Sequence, residues 1–158
     1  MNTLNGLPAH PLLIHFIVVL APLTAILAIL CALWPAARQR LVWLVLALAA
    51  VNLVVTPIAA EAGEWLENKV GDSEILEKHA HLGETMIYVS VALLVSAILL
   101  AVVHFRARGG KPSTVLSAIV AVLVVGVGVG SMIQVYRIGH SGAESVWGDV
   151  LTADGSED

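Results

Sequence analysis

Residues 114–136 read TVLSAIVAVLVVGVGVGSMIQVY and carry no charged side chain. About 20 apolar residues are enough for a helix to cross the hydrocarbon core of a bilayer. Three further apolar stretches lie earlier in the chain, at about 11–34, 41–60 and 83–105. Strands of a membrane barrel alternate between apolar and polar residues, whereas these stretches do not. The sequence therefore predicts an all-α integral membrane protein, a bundle of four helices.

The composition supports this class and excludes others. Charged residues make up 13% of the chain, against about a quarter in soluble domains. The 158 residues accommodate these spans but no further soluble domain of ordinary size, so we expect a single transmembrane domain over 1–158. A net charge of −4 without a continuous basic surface excludes nucleic acid as a partner. Cys31 is the only cysteine, so any haem would be held non-covalently.

The basic residues predict how the helices are oriented. Arg38 and Arg40 lie between the first two spans, and Arg106, Arg108 and Lys111 lie between the last two. The positive-inside rule places both groups in the cytoplasm. The sequence therefore predicts two hairpins, with both termini and the middle segment outside.

The middle segment, residues 61–84, is polar but keeps apolar side chains at helical spacing, including Trp65 and Ile75. We expect a short amphipathic piece that lies across the outer mouth of the bundle. The acidic tail, residues 152–158, lacks large apolar side chains after its first residues, and we expect it to be disordered.

Five histidines fall at the predicted outer end: His10, His15, His79, His81 and His140. Neutral imidazole is a common ligand for zinc, copper and haem iron. Their grouping on one side of a membrane protein predicts a cofactor or metal site on the outer side.

The two N-terminal histidines differ in their setting. His15 lies inside an apolar run, where an ionisable group is costly and usually faces the bundle interior, so we favour it as a ligand. His10 precedes Pro11 and is interpreted as an ordinary residue near a helix start. Five residues correspond to about 140° around a helix, so a regular helix would not direct both rings at one centre.

The remaining histidines are less clearly assigned. His79 and His81 are two residues apart and point to opposite sides of a helix, and spacing does not choose between them. His140 follows the fourth span on an expected glycine-containing turn, where Arg137 and Glu144 could hold it over the outer mouth. Alternatively, Ser141 and Glu144 match a helix capping box.

Two further groups of residues could support a site. Gly126 and Gly130 share a face of the fourth span; such a face usually allows another helix to approach, or it could pack against a flat haem. Glu61 and Glu64, with Glu144, lie at the predicted outer end, where a carboxylate could accept the second N–H of a ligating imidazole.

Four segments carry a family resemblance: LPAHPLLIHF, EAGEWLE, LEKHAHLGE and GHSGAESVWG. In order and spacing they resemble the domain-of-unknown-function 2231 family of bacterial membrane proteins over nearly the whole chain. The resemblance implies a bacterial inner membrane, with the histidine cluster on the periplasmic side. It also implies electron transfer, because the domain occurs in relatives beside Rieske iron-sulfur or cytochrome c modules. Residues that match its motif positions are His10, His15, His79, His140, Glu61, Glu64 and Trp65, whereas His81 and His104 are peripheral.

Three hypotheses follow for the function. The first is a small electron-transfer protein that binds haem b between His15 and His79, with His140 as an alternative ligand or a supporting partner. The second is a zinc or copper site that uses three or four of the histidines, including His10. The third is a cofactor-free membrane subunit of a redox complex. We expect an electron carrier rather than a stand-alone enzyme, with a redox protein or a quinol as partner. A homo-oligomer is also compatible with the sequence.

Overall fold

The computed structural model of the protein describes residues 3–4, 7–70 and 74–154, and the side chains of residues 8–69 and 74–146. Five helices make up nearly all of this part of the chain: α1 (Ala9–Leu33), α2 (Pro35–Val70), α3 (Glu74–Glu84), α4 (Met86–Arg108) and α5 (Thr114–Asp154). Before α1, strands β1 (Thr3–Leu4) and β2 (Leu7–Pro8) form a short antiparallel pair.

The long helices form a membrane bundle. Four helical stretches are long and apolar enough to span a bilayer: α1, α2, α4 together with the preceding α3, and α5. Both α1 and α4 pack against α2 and against α5, so the helices are arranged in a ring in the order α1, α2, α4, α5. The predicted all-α bundle of four membrane helices is confirmed.

The connection between α1 and α2 is shorter than the sequence suggested. Trp34 alone separates the two helices, and α2 begins at Pro35, whose fixed φ suits a first helical position. Arg38 and Arg40 therefore lie in the first turns of α2 instead of in a loop, and Arg38 is buried. Between α4 and α5 the chain turns through residues 109–113, where Gly110 has a φ of 71°.

A buried polar network links three helices inside an otherwise apolar core. Asn52 on α2 donates from Nδ2 to Thr24 Oγ1 on α1 at 3.0 Å. Thr56 Oγ1, also on α2, lies 2.7 Å from Ser90 Oγ on α4. Polar contacts between membrane helices are directional. This network therefore fixes the register of α1, α2 and α4, whereas apolar packing alone distinguishes only weakly between alternative registers.

At the predicted outer end the helices are longer than expected. The predicted second span ends near residue 60, but α2 continues to Val70, and only α3 forms the separate amphipathic piece. The expected turn after the fourth span is wrong, because α5 runs unbroken to Asp154. Ser141 and Glu144 are thus inside a helix and do not cap one. Residues 152–154 of the acidic tail are helical, and residues 155–158 lie outside the described residues.

Candidate functional site

His10, the second residue of α1, faces the end of α2. Its Nδ1 lies 2.9 Å from the carbonyl oxygen of Ala59. The ring packs on the bare backbone of Gly63, where a Cβ atom would lie 2.7 Å from His10 Cε1. A carbonyl can only accept, so Nδ1 carries the proton and donates it. The Nε2 of a neutral His10 therefore keeps its lone pair.

His79 on α3 makes the corresponding contacts with α5. Its Nδ1 lies 3.0 Å from Ser141 Oγ, which donates its own proton to the carbonyl of Ile138 at 3.0 Å. The serine oxygen must then accept from His79, so Nδ1 again carries the proton. A Cβ atom at Gly142 would lie 2.9 Å from His79 Cε1. The Nε2 of a neutral His79 keeps its lone pair as well.

The two arrangements are equivalent in position. Ala59 precedes Gly63 by four residues, and Ile138 precedes Gly142 by four residues. In each hairpin, an imidazole rests on a helical glycine and directs Nδ1 toward the carbonyl one turn earlier. His10 is also close enough to His79 for charges on the two rings to interact. We call these two residues the histidine pair.

The pair has the chemistry of a ligand site. Among the described residues, none forms a hydrogen bond to Nε2 of either ring. A ligating histidine typically donates its other N–H to a fixed acceptor, which sets the tautomer and orients the ring. The arrangement therefore leaves two neutral imidazole lone pairs, on different helices and near enough for their charges to interact, without a protein partner among the described residues. Both rings are half-buried at the predicted outer end of the bundle.

His15, the favoured ligand of the sequence analysis, lies elsewhere. Its ring is exposed, and Nδ1 contacts the carbonyl oxygen of Pro11 in its own helix. In the described part of the chain, no contact joins His15 to His79. As expected, the helix does not direct His10 and His15 at one centre, but it is His10 that faces another helix.

His140 and His81 are also exposed. The ring of His140 lies 6.0 Å from that of Tyr136 on the surface of α5. His81 Nδ1 lies 3.7 Å from a carboxylate oxygen of Glu84, with both side chains largely in solvent. The neighbouring Ser141, considered only as a cap from the sequence, contacts the histidine pair in place of His140.

The expected supporting charges do not contact the pair. Glu61, Glu64, Arg137 and Glu144 are all exposed, and no ion pair or hydrogen bond joins them to the pair among the described residues. Sequence reasoning missed the groups that take this role, the Ala59 carbonyl and Ser141. A signal was present: glycine stands inside both EAGEW and HSGAESVW.

The glycine face of α5 is open. Within the described residues, nothing lies within 4 Å of a Cβ placed on Gly126 or Gly130. The close helix approach occurs instead at Gly128, where a Cβ would lie 2.7 Å from the side chain of Ile29 on α1. Gly130 borders a groove of about 640 Å³ between α3–α4 and α5, together with Gln134.

The fold and the histidine pair define a class: a multi-pass helical membrane protein with paired imidazoles at one end of its bundle. A family model described as a predicted membrane protein (DUF2231) matches residues 6–155. The chain belongs to this family, as its motif segments suggested. No curated protein matches the chain, and no solved structure matches it either.

Proposed function

We propose that this chain is a small electron-transfer protein of the bacterial inner membrane that binds haem b on the periplasmic side. In this proposal His10 and His79 would hold the haem iron, and His10 takes the place first given to His15. The observation that carries the proposal is the histidine pair itself. Both rings have Nδ1 bonded to a protein acceptor, which leaves both Nε2 atoms available to a metal.

The number of available ligands favours haem over a small metal ion. In the described part of the chain, no group of three or more His, Cys, Asp and Glu side chains could hold a metal. Zinc sites use three or four protein ligands. Haem iron needs only two axial ligands, because the porphyrin supplies the others. Zinc or copper remains the alternative.

The residues around the pair have separate roles in this proposal. Bound haem would supply one-electron chemistry. The Ala59 carbonyl and the Ser141 hydroxyl orient the two rings and increase the basicity of Nε2. Below the pair, the buried side chains of Ile17, Met86 and Ile138 form an apolar layer that excludes water.

An electron carrier needs a donor and an acceptor. We propose a redox protein or a quinol for these roles. The groove beside Gly130 would suit a quinol, because Gln134 and Thr85 line it at one end and Ala92 and Val127 line it with apolar surface. The open face at Gly126 is where a second copy could pack.

The test is an absorption spectrum and an iron assay on the full chain purified in mild detergent. We expect a Soret band that shifts on reduction with dithionite. H10A and H79A should each lower haem content by about tenfold or more, since each removes an iron ligand. H15A and H81A are matched controls on the same two helices, and H140A tests the earlier alternative; all three should keep wild-type haem content.

Other results would overturn the proposal. A Soret band that survives in H10A and H79A would exclude the histidine pair as the ligands. A colourless protein with stoichiometric zinc or copper would replace haem by a metal ion. A protein with neither haem nor metal, even after incubation with hemin, would support a cofactor-free subunit.

A further inference from the structure

The opposite end of the bundle contains a histidine that the proposed function does not use. His104, near the end of α4, is 4% exposed. Its ring meets those of Trp43 and Phe105 edge-on, with centroids 6.4 and 6.1 Å away. No described residue forms a hydrogen bond to either of its ring nitrogens. The ring nitrogens are not among the fully enclosed unpartnered atoms of the described residues, so they are open to water or to a ligand from outside the protein.

The ring borders a cavity that could hold such a ligand. His104, Gln39 and Arg108 line a cavity of about 440 Å³ at this end of the bundle. His104 and Arg108 are one turn apart on α4, and Gln39 lies in the second turn of α2. The three side chains offer an imidazole N–H, a guanidinium fork and an amide NH₂, all of them hydrogen-bond donors.

The charge at this end favours an anion. Four further basic residues lie near the cavity-lining residues in the sequence: Arg38, Arg40, Arg106 and Lys111. By contrast, every Asp and Glu of the chain lies between residues 61 and 84 or after residue 143. Positive charge at this end is therefore not balanced by the protein's own acids. Guanidinium and imidazole donors together suit the oxygens of a phosphate group.

We propose that Gln39, His104 and Arg108 form a binding site for the phosphate group of an anionic phospholipid in the leaflet that meets the basic end. The positive-inside rule places this end in the cytoplasm, where anionic lipids are concentrated and basic pockets between membrane helices bind their headgroups. The site is independent of the histidine pair and of any cofactor there.

The test compares lipid retention by the full chain. Protein reconstituted in mixed phosphatidylglycerol and phosphatidylcholine is extracted, and the retained lipid is quantified by mass spectrometry. We expect wild type to retain phosphatidylglycerol selectively. R108A should retain about tenfold less of this lipid, because it removes a hydrogen bond between charged groups, which is stronger than one between neutral groups. R106A removes an exposed arginine outside the cavity and should retain as much as wild type.

Two further variants test the other lining residues. H104Q keeps an N–H donor but changes its position, and it should weaken retention. Q39A removes an exposed side chain, so its effect does not depend on core packing, and it should weaken retention as well. If R106A and R108A lower retention equally, or if H104Q and Q39A both match wild type, the cavity is not the site and the proposal is wrong.

An assay with inorganic phosphate distinguishes a lipid headgroup from free phosphate as the ligand of the cavity. In phosphatidylcholine alone, thermal stability is measured with and without millimolar phosphate. Stabilisation of wild type but not of R108A, without selective retention of phosphatidylglycerol, would keep the phosphate site and overturn its assignment to a lipid. No difference between wild type and R108A in either assay would overturn both.

Discussion

The two hairpins hold their histidines in the same position with different supporting groups. In the first hairpin, His10 donates directly to the backbone carbonyl of Ala59. In the second, His79 donates to the hydroxyl of Ser141, and this hydroxyl in turn donates to the carbonyl of Ile138. What both require is a helix surface without a side chain, at Gly63 and at Gly142. The bare glycine positions the ring, and the acceptor can be varied.

The hairpins differ also in how each histidine is attached to its span. His10 lies on α1 itself, whereas His79 lies on α3, which Thr85 separates from α4. Gln134 on α5 bridges this break, donating from Nε2 to Thr85 Oγ1 at 2.6 Å. The position of His79 thus depends also on the contact between Gln134 and Thr85, which has no counterpart in the first hairpin.

The largest effect is expected from filling the two glycine positions. In G63A and G142A, the new Cβ would lie 2.7 and 2.9 Å from a ring carbon, so each imidazole must move and lose its Nδ1 contact. We expect each variant to lower haem or metal content by about tenfold or more, as measured by absorbance and elemental analysis.

The control for these variants is G139A on α5. Nothing described lies within 4 Å of a Cβ at Gly139, and replacing a helical glycine by alanine stabilises a helix by about 1 kcal/mol. G139A should therefore keep full cofactor content. If only one of G63A and G142A lost cofactor, the two hairpins would not be equivalent.

A smaller effect is expected from the acceptor of the second hairpin. S141A removes the hydroxyl that receives the proton of His79 Nδ1. Loss of such a supporting group typically lowers metal affinity by about tenfold, which a titration of the apoprotein measures. S141T keeps a hydroxyl and should retain most of the affinity; equal losses in S141A and S141T would show that the hydroxyl is not the relevant group.

The smallest effect is expected at the bridge between α3, α4 and α5. Q134L removes the donor to Thr85, and we expect it to lower the free energy of unfolding by about 1 kcal/mol. Chemical unfolding in detergent micelles measures this change. Y136F alters an exposed side chain two residues from Gln134 and should leave stability unchanged. An equal loss in the two variants would contradict a role for the bridge.

The sequence predicted the fold better than the site. Four long apolar stretches are unambiguous, because the thickness of the hydrocarbon core sets the length that a membrane-spanning helix needs. The site was harder because apolar residues follow both His10 and His15, and in a membrane span the lipid-facing side is as apolar as the core-facing side. The hydrophobic pattern therefore could not indicate which histidine faces the bundle.

His104 illustrates the same limit at the other end. From the sequence it is one polar residue at the end of a span, and only the packing of α2 against α4 shows it to be buried beside Gln39. Likewise, Ser141 resembles a helix cap until α5 is seen to continue through it.

The amino-acid sequence by itself determined the class of this protein, its four spans and the end of the bundle where its histidines gather, since these follow from hydropathy and charge along the chain. The tertiary structure decided which histidines form a pair and which groups orient them. That choice depends on the rotation of each helix about its axis, which is set by contacts between helices and leaves little trace in a uniformly apolar sequence.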